Sequence, residues 1–152
     1  MMLIDEDTGL LSKPAAPWHL WIVGSLAILW NGVGAADYAM THLQHEDYMM
    51  RFTEEQKLFL QSLPVWAILG WTASVFSAVA GSLLVFFRSR FAETAFLISL
   101  AGMAVLFAHA FLSGRPELLG GPGYAAGMLL ATAIGLALYF YARHVRVDED
   151  QT

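Results

Sequence analysis

The chain has 152 residues, of which 57% are hydrophobic and only 14% are charged, and its mean hydropathy is +0.55. Soluble domains carry about 25% charged residues, so this composition favours a membrane protein. The chain contains no cysteine, which excludes disulfides, thiolate metal sites and cysteine nucleophiles. Its net charge of -5 comes mainly from acidic runs near both ends, and these argue against nucleic-acid binding.

Residues 1–17 are polar or mixed and contain two prolines, so we expect a tail without long helices. A secretory signal needs a basic segment before a short apolar core. Here the segment is acidic, with Asp5, Glu6 and Asp7, and the apolar run that follows is long. We therefore expect that run to be retained as the first helix.

Four apolar segments reach the roughly 20 residues that a helix needs to cross a bilayer. They cover residues 18–38, 64–87, 93–112 and 123–141. The predicted fold class is all-α, an integral membrane up-down-up-down four-helix bundle formed by residues 18–142. We expect residues 1–17 and the acidic tail 143–152 to lie on the same side.

The distribution of Lys and Arg between the joints predicts the orientation of the helices. Five basic residues fall on the side of the tails and three on the other side. The expected location is therefore a bacterial inner membrane, with both termini cytoplasmic and the loop 39–63 periplasmic. In that loop, Thr53 and Gln56 have the spacing of a capping box, which predicts a short helix on the outer membrane surface.

Small residues recur at helical spacing on each predicted span, which is how helices approach closely in lipid. On the fourth span these residues are Gly127, Ala131 and Gly135. We expect this stripe to pack against the other helices, so that Ala131→Leu overpacks the bundle.

Polar side chains inside the spans are the candidate ligand-binding residues, because a polar group at membrane depth needs a partner. Asn31 and His109 are predicted to face the interior near the outer side, where His109 forms an interhelical hydrogen bond to Asn31 or Ser99, or contacts a ligand. Asp37 ends the first span and is expected either to pair with Arg51 or Arg115 or to hold a ligand. Aromatic residues at the same level complete the predicted pocket: Tyr38, Trp66 and Trp71.

Metal and haem sites are weaker interpretations of the same region. His42 and His45 are three residues apart and would share a helical face, near Glu46 and Asp37, but a solvated loop explains them as well. Haem needs a second histidine at the depth of His109, and no other predicted span contains one. We therefore predict no cofactor and no catalytic residues.

A set of residues between positions 30 and 100 resembles a known family. The matching positions are Trp30, Asn31, Gly34, Ala35, Asp37, Tyr38, Met40, Thr41, Tyr48, Met49, Phe52, Thr53, Glu55, Gln56, Pro64, Trp66, Gly81, Ser82, Leu83, Leu84 and Arg88. The chain is similar to small four-span bacterial inner-membrane proteins, whose members are labelled "sugar transporter" or uncharacterised. The resemblance implies transport at the outer side, and its pattern does not include His42 or His45.

The resulting functional hypothesis is an accessory or transport-type membrane component, with an outward-facing polar pocket for a small solute such as a sugar. Alternatives are a quinone- or haem-associated oxidoreductase subunit and a structural assembly subunit. A four-span chain lacks the inverted repeats of secondary transporters. We therefore expect its partners to be the lipid bilayer and either further copies of itself or a larger membrane complex.

Overall fold

The computed structural model describes residues 3–4, 11–12, 18–119 and 123–150. Two short strands, β1 (Leu3–Ile4) and β2 (Leu11–Ser12), pair in antiparallel fashion, and the rest of the regular structure is helical. The helices are α1 (Trp18–His42), α2 (Glu46–Met49), α3 (Glu54–Gln61), α4 (Val65–Phe86), α5 (Phe91–Leu112) and α6 (Tyr124–Asp150), with a short 3-10 helix at Pro116–Leu119. The remainder of the predicted N-terminal tail, including Lys13, lies outside the described residues.

Four helices are long and apolar enough to cross a membrane: α1, α4, α5 and the Ala126–Val145 part of α6. The predicted segments are therefore helices, but three of them are longer than predicted, and α5 begins two residues early at Phe91. α1 continues one turn beyond residue 38 to His42, and α6 continues through the predicted acidic tail to Asp150. Residues 151–152 of that tail lie outside the described residues.

The capping box of α3 is confirmed. The Thr53 hydroxyl accepts a hydrogen bond from the Gln56 backbone N–H, and the Gln56 side chain accepts one from the Thr53 backbone N–H. Two backbone donors that the first turn leaves unpaired are thereby satisfied. The motif fixes the start of α3, and α2 and the 3-10 helix are additional short elements that we did not predict.

The tightest helix pair is α4 with α5, which run antiparallel. A Cβ atom placed on Gly102 would lie 2.4 Å from the carbonyl oxygen of Gly70 and 2.8 Å from the backbone nitrogen of Ser74. Ser74 Oγ and Ser99 Oγ are 3.5 Å apart across the same interface. Backbone therefore packs on backbone here, which only a glycine at position 102 permits.

α1 packs against α4 through two interhelical hydrogen bonds. Asn31 Nδ2 donates to Ser82 Oγ at 2.8 Å, and Tyr38 Oη lies 2.7 Å from Thr72 Oγ1. Residues late in α1 thus meet residues early in α4, so these neighbours are also antiparallel. α1 is joined to α4 along most of its length.

α6 is attached mainly to α5, and its backbone hardly approaches that of α1. At one end of the molecule all four long helices contribute to a common core, formed by Leu20, Ala27, Val85, Ala92, Phe96, Leu138 and Ala142. There the His19 ring nitrogen Nδ1 lies 2.8 Å from Tyr141 Oη, which links α1 to α6. We call this the closed end.

The other end, which carries α2, α3 and the 3-10 helix, is called the loop end. Its core joins α3 and the 3-10 helix to α4 and α5, and consists of Phe59, Leu63, Ala67, Leu106, Ala110 and Leu118. Among the residues whose side chains the structure describes, which in α6 are 126–145, neither α1 nor α6 contributes to this cluster. The two helices are therefore held together at the closed end and separate toward the loop end.

Candidate ligand-binding cleft

The gap between α1 and α6 contains three cavities of about 420, 290 and 570 Å³. Asp37 and Ala131 line all three, so the cavities adjoin one another, and we call them together the α1/α6 cleft. Its other lining residues include Trp30, Asn31, Gly34, Trp71, Phe107 and Gly135. The cleft extends from the loop end to Leu138 in the closed-end core.

Small residues on α6 form one wall of the cleft, contrary to the predicted packing of this stripe. A Cβ atom on Gly127 would meet no atom within 4 Å, whereas one on Gly135 would lie 2.8 Å from the Leu100 side chain. Ala131, between them, faces the cavities. Only the Gly135 end of the stripe therefore makes a helix contact, and the expectation that Ala131→Leu overpacks the bundle has no basis in this geometry.

Among the described residues that line these three cavities, Asp37 is the only carboxylate. It is partly buried, and its Oδ1 atom accepts a hydrogen bond from Tyr48 Oη. Neither expected ion pair forms: Arg115 pairs with Glu55 at 3.0 Å, and Arg51 lies against the Tyr48 ring. The Asp37 carboxylate is thus hydrogen-bonded by a neutral phenol and not paired with a cation.

Tyr48 joins Asp37 to Arg51. The Arg51 guanidinium carbon lies 4.8 Å from the centre of the Tyr48 ring, in a cation–π contact. Burial, followed by the hydrogen bond and charge of Asp37, raises the pKa of the Tyr48 phenol to about 12, and Arg51 acts in the opposite direction. The phenol therefore stays protonated at neutral pH and donates to the carboxylate.

Asn31 lines the cleft, but its amide is also used in helix packing. Its donor group binds Ser82 Oγ, and the Ser82 hydroxyl donates in turn to the Ala78 carbonyl at 2.9 Å. Ser82 is fully buried, with a relative exposure of 0%. The predicted inward orientation of Asn31 is therefore observed, with Ser82 on α4 as its partner and not His109.

The predicted aromatic residues separate into two groups. The Trp71 ring lies edge-on to Tyr38 at 5.2 Å and lines the cleft, while Tyr38 itself stacks on His42 at 4.0 Å. Trp66 lies edge-on to His109 at 5.1 Å, beneath α3. Of the six predicted ligand-binding residues, Asn31, Asp37 and Trp71 line the cleft, and Tyr38, Trp66 and His109 do not.

His109 faces α3 instead of the centre of the molecule. Its ring stacks on Phe59 with 5.8 Å between ring centres, in addition to its contact with Trp66. The predicted hydrogen bond to Asn31 or Ser99 is absent, since these residues pair with Ser82 and Ser74. The prediction failed because it did not anticipate that α3 folds back over this part of α5.

The two candidate metal-binding histidines do not share a helical face. His42 is the last residue of α1, Gln44 follows with a φ of 51°, and His45 caps α2 in an extended conformation. Across the described ranges, no group of three or more His, Cys, Asp or Glu side chains is arranged to hold a metal ion. The helical spacing on which the metal hypothesis depended is therefore not present.

Two features of the cleft were missed by sequence reasoning. Arg51 faces the same cavity as Asp37, although we considered it only as an ion-pair partner. Ser74 and Ser99 line the cavity of about 290 Å³, which reaches Leu138 in the closed-end core. The spacing of Tyr48 and Arg51 could have indicated that Arg51 lies beside Tyr48, because residues three apart on a helical turn are neighbours.

Comparisons with protein-family models, curated proteins and solved structures give no match for this chain.

Proposed function

We propose that the chain is a multi-pass membrane protein whose α1/α6 cleft binds a ligand with a polar group, as a transport-type or accessory component. The four long helices would form an up-down-up-down bundle in a bacterial inner membrane, with α3 at the outer surface. The observation that carries the proposal is the cleft itself, with the Asp37 carboxylate in its lining near the loop end.

Membrane insertion is supported by the outward-facing side chains of the long helices. Large apolar residues are exposed along all four of them, for example Val33 at 70%, Phe76 at 63% and Leu129 at 72%. In water such a surface would cause aggregation, whereas in a bilayer it meets lipid. The short contact between Gly70 and Gly102 is also the kind of packing that membrane helices use.

The proposed orientation places the closed end in the cytoplasm. Arg88, Arg90 and Arg143 lie at this end of the long helices, and the sequence adds Lys13 and Arg146 to the same side. Cytoplasmic loops carry the excess of Lys and Arg in membrane proteins. The cleft would then open toward the periplasm, which suits the capture of an external ligand.

Single cysteines test insertion and orientation directly, because the chain contains no cysteine of its own. A membrane-impermeant maleimide applied to intact spheroplasts is expected to label Asp47→Cys at the loop end, and to label Ser89→Cys at the closed end only after permeabilisation. Labelling of both variants without permeabilisation would refute the proposed topology.

The cleft is tested by two neighbouring positions on α6. Ala131 lines all three cavities, while Leu130 is 52% exposed and lines none of them. A small water-soluble thiosulfonate is expected to modify Ala131→Cys much faster than Leu130→Cys in membranes. Equal rates would mean that the cleft is not an aqueous opening.

Ligand binding is tested by native mass spectrometry of protein released from a mild detergent, with the wild type compared with Asp37→Asn. A retained mass that is lost in the variant supports the proposal, and counterflow of labelled sugars in proteoliposomes then tests transport. Protein that retains no ligand in an Asp37-dependent manner would contradict the proposal and favour an assembly subunit.

A further inference from the structure

Two opposite charges face the same cavity of the cleft without forming an ion pair. Asp37 and Arg51 both line the cavity of about 570 Å³. Within the described residues neither one takes part in an ion pair; the carboxylate accepts from the Tyr48 phenol, and the guanidinium lies over the face of the same ring. The two charges are therefore held apart by one tyrosine side chain.

One neutral donor compensates only part of the negative charge of a partly buried carboxylate, so its remaining acceptor sites favour a cation. Arg51, one tyrosine away, is equally suited to an anion, since a guanidinium offers several donors in a fixed plane. A ligand that carries both charges close together satisfies both residues at once. A ligand with one charge satisfies only one of them.

The deeper part of the cleft is mainly apolar. From Asp37 it continues between α1 and α6 along Phe96, Leu100, Met103, Leu106, Phe107 and Leu138. On the surface side its edge is formed by Trp30, Val33 and Met40, which are exposed apolar residues. The cleft therefore has an opening lined by one negative and one positive side chain, and an apolar interior that is open toward the side where lipid would lie.

We propose that the α1/α6 cleft binds a phospholipid with an amine-bearing zwitterionic headgroup, a proposal that rests on the ligand-binding function proposed above. The ammonium group hydrogen-bonds the Asp37 carboxylate, the phosphate binds the Arg51 guanidinium, and an acyl chain occupies the apolar interior. An ethanolamine headgroup fits this arrangement because a short ethylene bridge joins its two charges.

Other ligand classes match the cleft less completely. An anionic lipid with a glycerol headgroup leaves Asp37 without a cation. A choline headgroup brings a cation that has no N–H to donate to the carboxylate. A free sugar supplies hydroxyl groups but leaves the apolar interior unfilled, so that its burial contributes little.

The test is native mass spectrometry of the full chain in detergent micelles that contain equal amounts of ethanolamine, choline and glycerol phospholipids of the same acyl composition. A hydrogen bond to a charged group raises the affinity for a lipid that makes it by about tenfold or more over a lipid that does not. We expect the ethanolamine lipid to be retained about tenfold over the glycerol lipid, and Asp37→Asn to abolish this preference. Arg51→Gln should weaken retention of all three lipids.

Matched controls separate the cleft from the general charge of the loop end. Asp47→Asn makes the same change at an exposed acid that lines none of the cavities and should leave the preference intact. Ala131→Phe fills the cleft without changing a charge and should reduce retention of the ethanolamine lipid. It keeps the test decisive if Asp37→Asn does not fold.

The outcomes distinguish this inference from the proposed function. Equal retention of the three lipids, or a preference that survives both Asp37→Asn and Ala131→Phe, overturns the inference. If phosphoethanolamine without acyl chains, or a sugar, binds in an Asp37-dependent manner while lipids do not, the inference fails and the ligand-binding function stands. If no ligand depends on Asp37 or Ala131, both fail.

Discussion

Replacing Gly102 with alanine tests the close backbone approach between α4 and α5. A Cβ atom at this position would lie 2.4 Å from the Gly70 carbonyl oxygen and 2.8 Å from the Ser74 nitrogen. Both obstacles are backbone atoms, so no side-chain rotation can relieve the overlap. α4 and α5 must move apart, and Gly102→Ala is therefore expected to destabilise the fold.

The expected magnitude comes from two opposing effects. Overpacking of a well-packed interface costs about 1–3 kcal/mol, whereas glycine to alanine within a helix contributes up to about 1 kcal/mol in favour of folding. Gly32 isolates the second effect, because a Cβ atom there would meet nothing within 4 Å. Gly32→Ala should be neutral or slightly stabilising.

The assay is thermal unfolding in one mild detergent, followed by circular dichroism for the wild type and both variants. We expect Gly102→Ala to melt roughly 2–12 °C below Gly32→Ala, because the difference between the two variants is the overpacking cost and a chain of this size loses about 2–4 °C per kcal/mol. Gly70→Ala is expected to destabilise the same interface, because a Cβ atom there would lie 2.9 Å from Val105 Cβ, which no side-chain rotation moves, and 3.1 Å from the Gly102 carbonyl oxygen. Equal melting of the Gly102 and Gly32 variants would refute the backbone contact.

Three further predictions follow from contacts of the cleft. Asn31→Ala should cost about 0.6–2 kcal/mol, and a double-mutant cycle with Ser82→Ala should show positive coupling; additive effects would mean that the hydrogen bond contributes nothing. The raised pKa of Tyr48 stabilises the folded state below pH 10, and this contribution is lost as the pH rises through about 12. An absorbance titration of the wild type should therefore show a phenol that ionises near pH 12, and the same titration of Tyr48→Phe should lack it. Ala131→Leu should leave the melting temperature unchanged or raise it, because the side chain enters a cavity; a large decrease would restore the overpacking interpretation.

The long helices could be predicted because a run of apolar residues identifies both a helix and a span. Their ends were predicted less well, since hydropathy marks where the membrane would end and not where the backbone hydrogen bonds end. α1 illustrates the difference: Thr41 and His42 are polar and lie beyond the predicted end at residue 38, yet they continue the helix. The α3 capping box was predicted correctly because both of its partners are local in sequence.

The contents of the site were only partly predictable. That Asn31 needs a partner inside the molecule follows from its chemistry, and Ser82 supplies that partner. Which helix provides it is a property of tertiary packing, which the sequence of α1 alone does not specify. His109 was misplaced for the same reason, because its stacking partner Phe59 comes from a helix in the loop.

The cleft itself follows from how polar contacts select helix partners. Apolar contacts discriminate poorly between helices in lipid, because lipid tails replace them at little cost, whereas polar contacts and close backbone approach do discriminate. α1 places Asn31 and Tyr38 against Ser82 and Thr72 of α4, so its polar groups are already satisfied there. Toward α6 it makes a side-chain hydrogen bond between His19 and Tyr141 at the closed end. With α1 bound to α4 and the Gly135 region of α6 packed on α5, the space between α1 and α6 remains open beside Asp37, where a ligand that carries its own charges can enter.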